Sequence, residues 1–169
     1  VMPKPLVMAG GGNALIEVPH HAPVPAQYLA ARNAAQSLGG LIAAGNNLAI
    51  VHGNGPQVGF ILRRAELARG VMHEVPLDSC VADTQGALGY NLQMALGNEI
   101  NARGLKRSAA TVVTQVLVDK KDPAFSHPVK PIGGFMDEAE AMRRSKEEGW
   151  NVVEDAGRGW RRVVPSPQP

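Results

Sequence analysis

His52-Gly53-Asn54-Gly55-Pro56-Gln57-Val58-Gly59 is the stretch on which the reading of this chain turns. It follows an apolar run, Leu48-Ala49-Ile50-Val51, that predicts a buried parallel strand. It leads into Phe60-Ile61-Leu62 and a Glu/Arg-bearing stretch that predicts a helix over 57–69. Pro56 suits a first helical turn, where its missing N–H costs nothing. Glycines at 53 and 55 let backbone N–H groups approach a ligand without a Cβ in the way. The helix end adds partial positive charge, and together these make a seat for phosphate or carboxylate. A plain strand-to-helix turn that needs glycine for its own geometry reads equally well from this stretch alone.

A second corner lies upstream. Leu6-Val7-Met8-Ala9 predicts a strand, and Gly10-Gly11-Gly12-Asn13-Ala14-Leu15 follows it. This run lacks the third glycine of a dinucleotide fingerprint and the Gly-Lys-Ser/Thr end of a Walker A loop. Two glycine turns after two strands are a stronger sign than either alone. In a parallel sheet both fall at the carboxyl ends of strands, where ligands bind.

The 169 residues suffice for one domain with a sizeable core. Aromatics are only 4%, while Gly and Ala are plentiful, as α/β packing allows. A net charge of +2 with no long Lys/Arg run gives no nucleic-acid footprint. The single cysteine, Cys80, rules out an internal disulfide and fits a reducing compartment such as the cytoplasm. No apolar run approaches the roughly 18 residues of a membrane span, and no signal-peptide pattern is visible. Val1-Met2-Pro3 reads as an incomplete N-terminus, and Pro165-Ser166-Pro167-Gln168-Pro169 as a linker.

Between the corners, His20-His21 sits in a Pro-rich loop with no partner spacing for a metal. A helix is expected over 26–44, ended by Gly45, with Gly39-Gly40 explained by close approach to the sheet. A second strand over 46–51 completes a strand-helix-strand unit. The region 77–103 reads as helix interrupted at Asp83-Thr84-Gln85-Gly86. Its stripe of Leu88, Leu92, Ala95, Leu96 and Ile100 reads as core or subunit contact. A third strand is expected over 109–118. Beyond it the chain turns richer in Pro, Gly and charge, with a small helix over 137–148 and strands over 151–154 and 160–164. Lys130-Pro131-Ile132-Gly133 and Asp155 to Arg162 are two basic motifs stiffened by Pro and Gly. They read as a lid over an anion site, or as a solvated hairpin.

The motifs together resemble the N-terminal half of carbamate kinases, in the amino-acid-kinase superfamily. The resemblance rests on Gly11-Gly12-Asn13-Ala14-Leu15, His52 to Gly59, Thr84-Gln85-Gly86, Asp122-Pro123-Ala124-Phe125, Lys130 to Gly133, and Glu154 to Gly159 with Arg161-Arg162-Val163-Val164-Pro165-Ser166-Pro167. It runs through essentially the whole chain. Gly10, Gly134 and Asp83 depart from the usual pattern, and the family's second half has no counterpart here.

The resemblance implies an α/β fold: a three-layer αβα sandwich with a mostly parallel sheet and a small protruding α+β subdomain. It divides the chain into residues 1–118, a lid over 119–164, and a linker over 165–169 toward a nucleotide-binding half. It implies transfer of phosphoryl between ATP and carbamate, run toward ATP in catabolism, with ATP/ADP and Mg2+ bound mostly by that other half. Carbamate and carbamoyl phosphate are the implied partners, with a homodimer and no nucleic acid or membrane. Gly11, Gly12 and Asn13 are expected on one side of the phosphoryl group. Gly53, Asn54 and Gly55 are expected to cradle the carbamate and the phosphoryl group. Relatives that phosphorylate carboxylates carry Lys at the place of Asn13. Lys130 is expected to supply that charge when the lid closes, which makes Asn13 and Lys130 the candidate catalytic residues. A kinase for another small carboxylate, and a non-catalytic anion-binding half, are the alternatives.

Overall fold

The structure is a computed structural model that describes residues 5–10 and 24–169. In chain order it contains β1 (Leu6–Gly10), α1 (Val24–Ala43), β2 (Leu48–His52), α2 (Gly55–Leu67), α3 (Leu77–Ala102), a 3-10 turn (Pro123–Phe125), β3 (Lys130–Met136), α4 (Glu138–Glu148), β4 (Asn151–Glu154) and β5 (Trp160–Val164). The described residues of 1–56 and 81–113 form one unit, and 57–80 with 114–169 form another.

In the first unit β1 and β2 pair in parallel, from Leu6 opposite Leu48 to Gly10 opposite His52. Ala31, Ala35 and Leu38 of α1 meet Leu92, Ala95 and Leu96 of α3, and Leu48 and Ile50 of β2 pack against this cluster. The apolar stripe of α3 is therefore core of its own chain and does not offer a subunit contact. Small alanines on α1 let the two helices approach closely. Both strands are less buried than their composition suggests: Val7 is 67% and Val51 52% exposed. In β2 alternation explains it, because Leu48 and Ile50 face the helices while Ala49 and Val51 point to the opposite face; β1 is exposed at Leu6 and Met8 as well.

Gly45 takes φ +91 just after α1, and its N–H donates to the Ile42 carbonyl at 3.0 Å. Gly104 closes α3 in the same way, with φ +65. Three expectations are corrected here. Helix α3 runs without a break through Asp83 to Gly86; the Thr84 hydroxyl donates to the Val81 carbonyl at 2.7 Å, inside the helix. No strand forms over 109–118. Among the described residues no third strand lies beside β1 or β2 to complete its ladder, and Val112 is 76% exposed. Finally, Gly39 faces α3, not the sheet: a Cβ there would lie 2.7 Å from Glu99 Cγ, whereas one at Gly40 would meet nothing within 4 Å.

This contrast gives a stability prediction. Gly40→Ala should raise stability by roughly 0.5–1 kcal/mol through helix propensity alone. Gly89→Ala should lower it by about 1–3 kcal/mol, because a Cβ at Gly89 would collide with the Thr111 side chain. Urea midpoints measure both, and a Gly89→Ala protein as stable as the parent would contradict the packing.

The second unit carries an antiparallel sheet in the order β3-β5-β4, with α4 between β3 and β4 in sequence. Asp137 caps α4 by accepting from the Glu140 N–H at 2.8 Å, and Gly149 ends it with φ 68. Strand β3 is a departure from expectation, since Pro131, Gly133 and Gly134 argue against a strand. Pro131 is tolerated because β3 is an edge of this sheet. Gly133, with φ +70, falls where the β3–β5 register shifts between Ile132 and Met136.

Arg144 joins α4 to α2 through Glu66 at 3.8 Å and pairs with Glu140 at 2.7 Å. Arg143 and then Arg144 pull the Glu140 carboxyl from its ordinary 4.5 to about 2. A depressed carboxylate contributes stability that is complete above its unfolded pKa and is lost as pH falls through the folded one. The second unit should thus weaken between about pH 4.5 and 2. Both tryptophans, Trp150 and Trp160, lie in this unit, so their fluorescence reports it. Glu140→Gln should flatten the fall of the urea midpoint over that window, and added salt should shrink the effect because the pair is exposed. An equally steep fall in the variant would contradict the assignment.

Candidate functional site

The parallel register brings the carboxyl ends of β1 and β2 level, with Gly10 opposite His52. One step further, the Gly53 N–H donates to the Gly10 carbonyl at 3.1 Å. The two strands therefore run out side by side at Gly10 and His52. Gly11, Gly12 and Asn13, and the pair His20-His21, lie outside the described residues.

Gly53 and Asn54 lead directly into α2, whose first residue is Gly55. The first turn of α2 contains no acidic side chain, so its partial positive charge is not neutralised from within. A Cβ at Gly55 would meet no described residue within 4 Å, and Gly55 is absent from the positive-φ residues. Neither packing among the described residues nor backbone conformation requires glycine there, while close approach of a ligand to the backbone would. Asn54 is half-buried, and its amide Nδ2 donates to Thr84 Oγ1 at 2.7 Å. Thr84, on α3, is 1% exposed. Sequence reasoning did not connect these two residues, because 30 positions separate them; the run Thr84-Gln85-Gly86 stood out only as part of a motif.

Lys130 opens β3 in the second unit, exposed and opposite Val164 in the ladder. The two basic motifs of this unit meet: Arg161 donates to the Gly133 carbonyl at 3.1 Å. Arg158 and Arg161 both pair with Asp155, at 2.6 and 3.4 Å, and both lie over the Phe135 ring. Arg158 holds the Asp155 carboxyl below the usual carboxylate range. These two arginines are thus already committed to a carboxylate, whereas Lys130 forms no ion pair among the described residues. Among the described residues no three His, Cys, Asp or Glu side chains converge as metal ligands do. No described helix is long and apolar enough to cross a membrane.

A parallel β-α-β unit in which the strand end at His52 leads through Gly53 into a helix opening at Gly55 defines the class: an α/β protein of the amino-acid kinase fold. The comparisons with known proteins make this particular. A carbamate kinase of Giardia lamblia bound to AMP-PNP superposes with a TM-score of 0.86 at 41% identity, covering 99% of this chain and 54% of that one. A crystal structure from Aeropyrum pernix K1 gives a TM-score of 0.89 at 37% identity, covering 96% of this chain and 52% of that one. The carbamate kinase of Pyrococcus horikoshii is 46% identical over 171 residues, with 99% of this chain and 54% of the relative covered. Carbamate kinase 1 of Enterococcus faecium is 48% identical over 169 residues, with the same coverage. No protein-family model matches the chain. The chain is a homologue of carbamate kinases, and it spans about half the length of the curated relatives it matches.

Proposed function

We propose that the chain carries the carbamate and phosphoryl side of a carbamate kinase, which interconverts ATP plus carbamate with ADP plus carbamoyl phosphate. The observation that carries this reading is the pair of level strand ends, with Gly53 bonded to Gly10 and α2 opening at Gly55 without an acid in its first turn. In the reaction a carbamate oxygen forms a bond to the γ-phosphorus, and the bond from that phosphorus to the bridging oxygen breaks to release ADP. The attacking oxygen is already anionic, so no general base is needed. The protein must hold two anions in line and spread the charge of the moving group. Backbone N–H groups of Gly53, Asn54 and Gly55 are suited to this, as are those of Gly11 and Gly12 with Asn13 beside them. Lys130, exposed and free of an ion pair among the described residues, is the cation assigned to the phosphoryl group on lid closure.

In this reading residues 119–164 are the lid, 165–169 lead to the nucleotide-binding half, and Mg2+ enters with the phosphates of ATP. A cytoplasmic homodimer belongs to the same reading; the stripe on α3 is spent in the core, so its contact uses another surface. The test is an assay of the full-length protein with ATP and carbamate, beside acetate, oxamate and amino acids. Turnover with carbamate alone supports the proposal. Preference for another carboxylate moves the protein to a related kinase, and no turnover with any of them makes the site a binding module.

A further inference from the structure

The geometry points to Thr84 as the positioning residue that sets the orientation of Asn54, an inference that rests on the seat proposed above. Thr84 has a single hydroxyl hydrogen. Among the described residues it is donated to the Val81 carbonyl, at 2.7 Å. Oγ1 can then only accept from its other neighbour, and that neighbour is the Asn54 amide at 2.7 Å. An asparagine amide can turn over, exchanging its oxygen for its nitrogen. While the hydroxyl keeps its bond to Val81, Thr84 admits only the orientation that presents Nδ2, because an oxygen there would face a lone pair or would have to take the hydrogen from Val81. Thr84 is 1% exposed, so its hydroxyl is sheltered from bulk water. Helix α3 thereby fixes a side chain on the loop that opens α2. Asn54 is left with Oδ1 and one Nδ2 hydrogen to offer, in a set orientation. An acceptor and a donor side by side match a carbamate, whose NH2 and carboxylate are also side by side, and match acetate less well.

The test uses the full-length protein. Thr84→Val keeps the shape and removes the hydroxyl; Thr84→Ala serves if valine is not accommodated, and Thr84→Ser restores the hydroxyl. Each is combined with Asn54→Ala in a double-mutant cycle. The expected result is a roughly 10-fold loss of kcat/KM for carbamate in Thr84→Val, the scale of one positioned hydrogen bond. Thr84→Ser should recover most of it, and Thr84→Val should cost nothing further once Asn54 is alanine. A Thr84→Val enzyme with parental kinetics beside an impaired Asn54→Ala overturns the positioning role alone. Losses that add in the double variant overturn it too, since a merely structural threonine would act in either background. Parental kinetics in Asn54→Ala overturns the positioning role and the seat together.

Discussion

Lys130→Ala in the full-length protein should slow phosphoryl transfer on the order of 10²-fold or more, the cost of losing one cation from a developing charge. The effect should fall on kcat more than on KM, because the charge is needed most while the phosphoryl group is between its two oxygens. The fold should be indifferent. Lys130 is exposed, opens an edge strand and engages the ladder through its backbone opposite Val164. Thermal unfolding and steady-state rates on one preparation decide the matter. Unchanged turnover removes Lys130 from the mechanism and returns the β3–β5 pair to a solvated surface feature. The contrast with Arg158 and Arg161 sharpens the point: both are bound to Asp155, so replacing either disturbs a structural pair first.

Gly55→Ala should separate stability from function in the other direction. A Cβ at this position meets no described residue, and Gly55 begins a helix. Alanine there should leave stability unchanged or raise it by up to about 1 kcal/mol. If the space is where a phosphoryl or carbamate group approaches the backbone, the same methyl group should cost roughly 10²-fold in kcat/KM. The pairing is the informative part. A variant that is both stable and active would show that glycine is dispensable at 55, and that the opening of α2 is only a turn.

The corner from His52 to Gly59 was legible in the chain because its signals are local: an apolar run, two glycines, a proline, then an apolar helix start. The stop at Gly45, the small helix over 137–148 and the strands β4 and β5 were legible for the same reason. What was missed depends on partners distant in sequence. Strand β3 hides behind Pro131 and Gly133, and it exists because β5 supplies a ladder that tolerates proline on one edge. The run over 109–118 has strand composition and no strand beside it among the described residues. Gly39 is small because Glu99 of α3 and Arg103 just beyond its end pass over it, which periodicity in α1 alone does not reveal. The break expected at Asp83 to Gly86 followed from turn-forming residue types. Thr84 there turns its hydroxyl to Val81 and to Asn54 instead, and the helix continues.

The central claim is that the two glycine-rich runs that follow β1 and β2 in sequence serve one bound group. Backbone amide NMR of the full-length protein, titrated with carbamoyl phosphate, tests it most directly. The account predicts that the amides of Gly11 and Gly12 shift together with those of Gly53, Asn54 and Gly55, along a single saturation curve. Shifts confined to one turn, or two turns saturating at different concentrations, would contradict it.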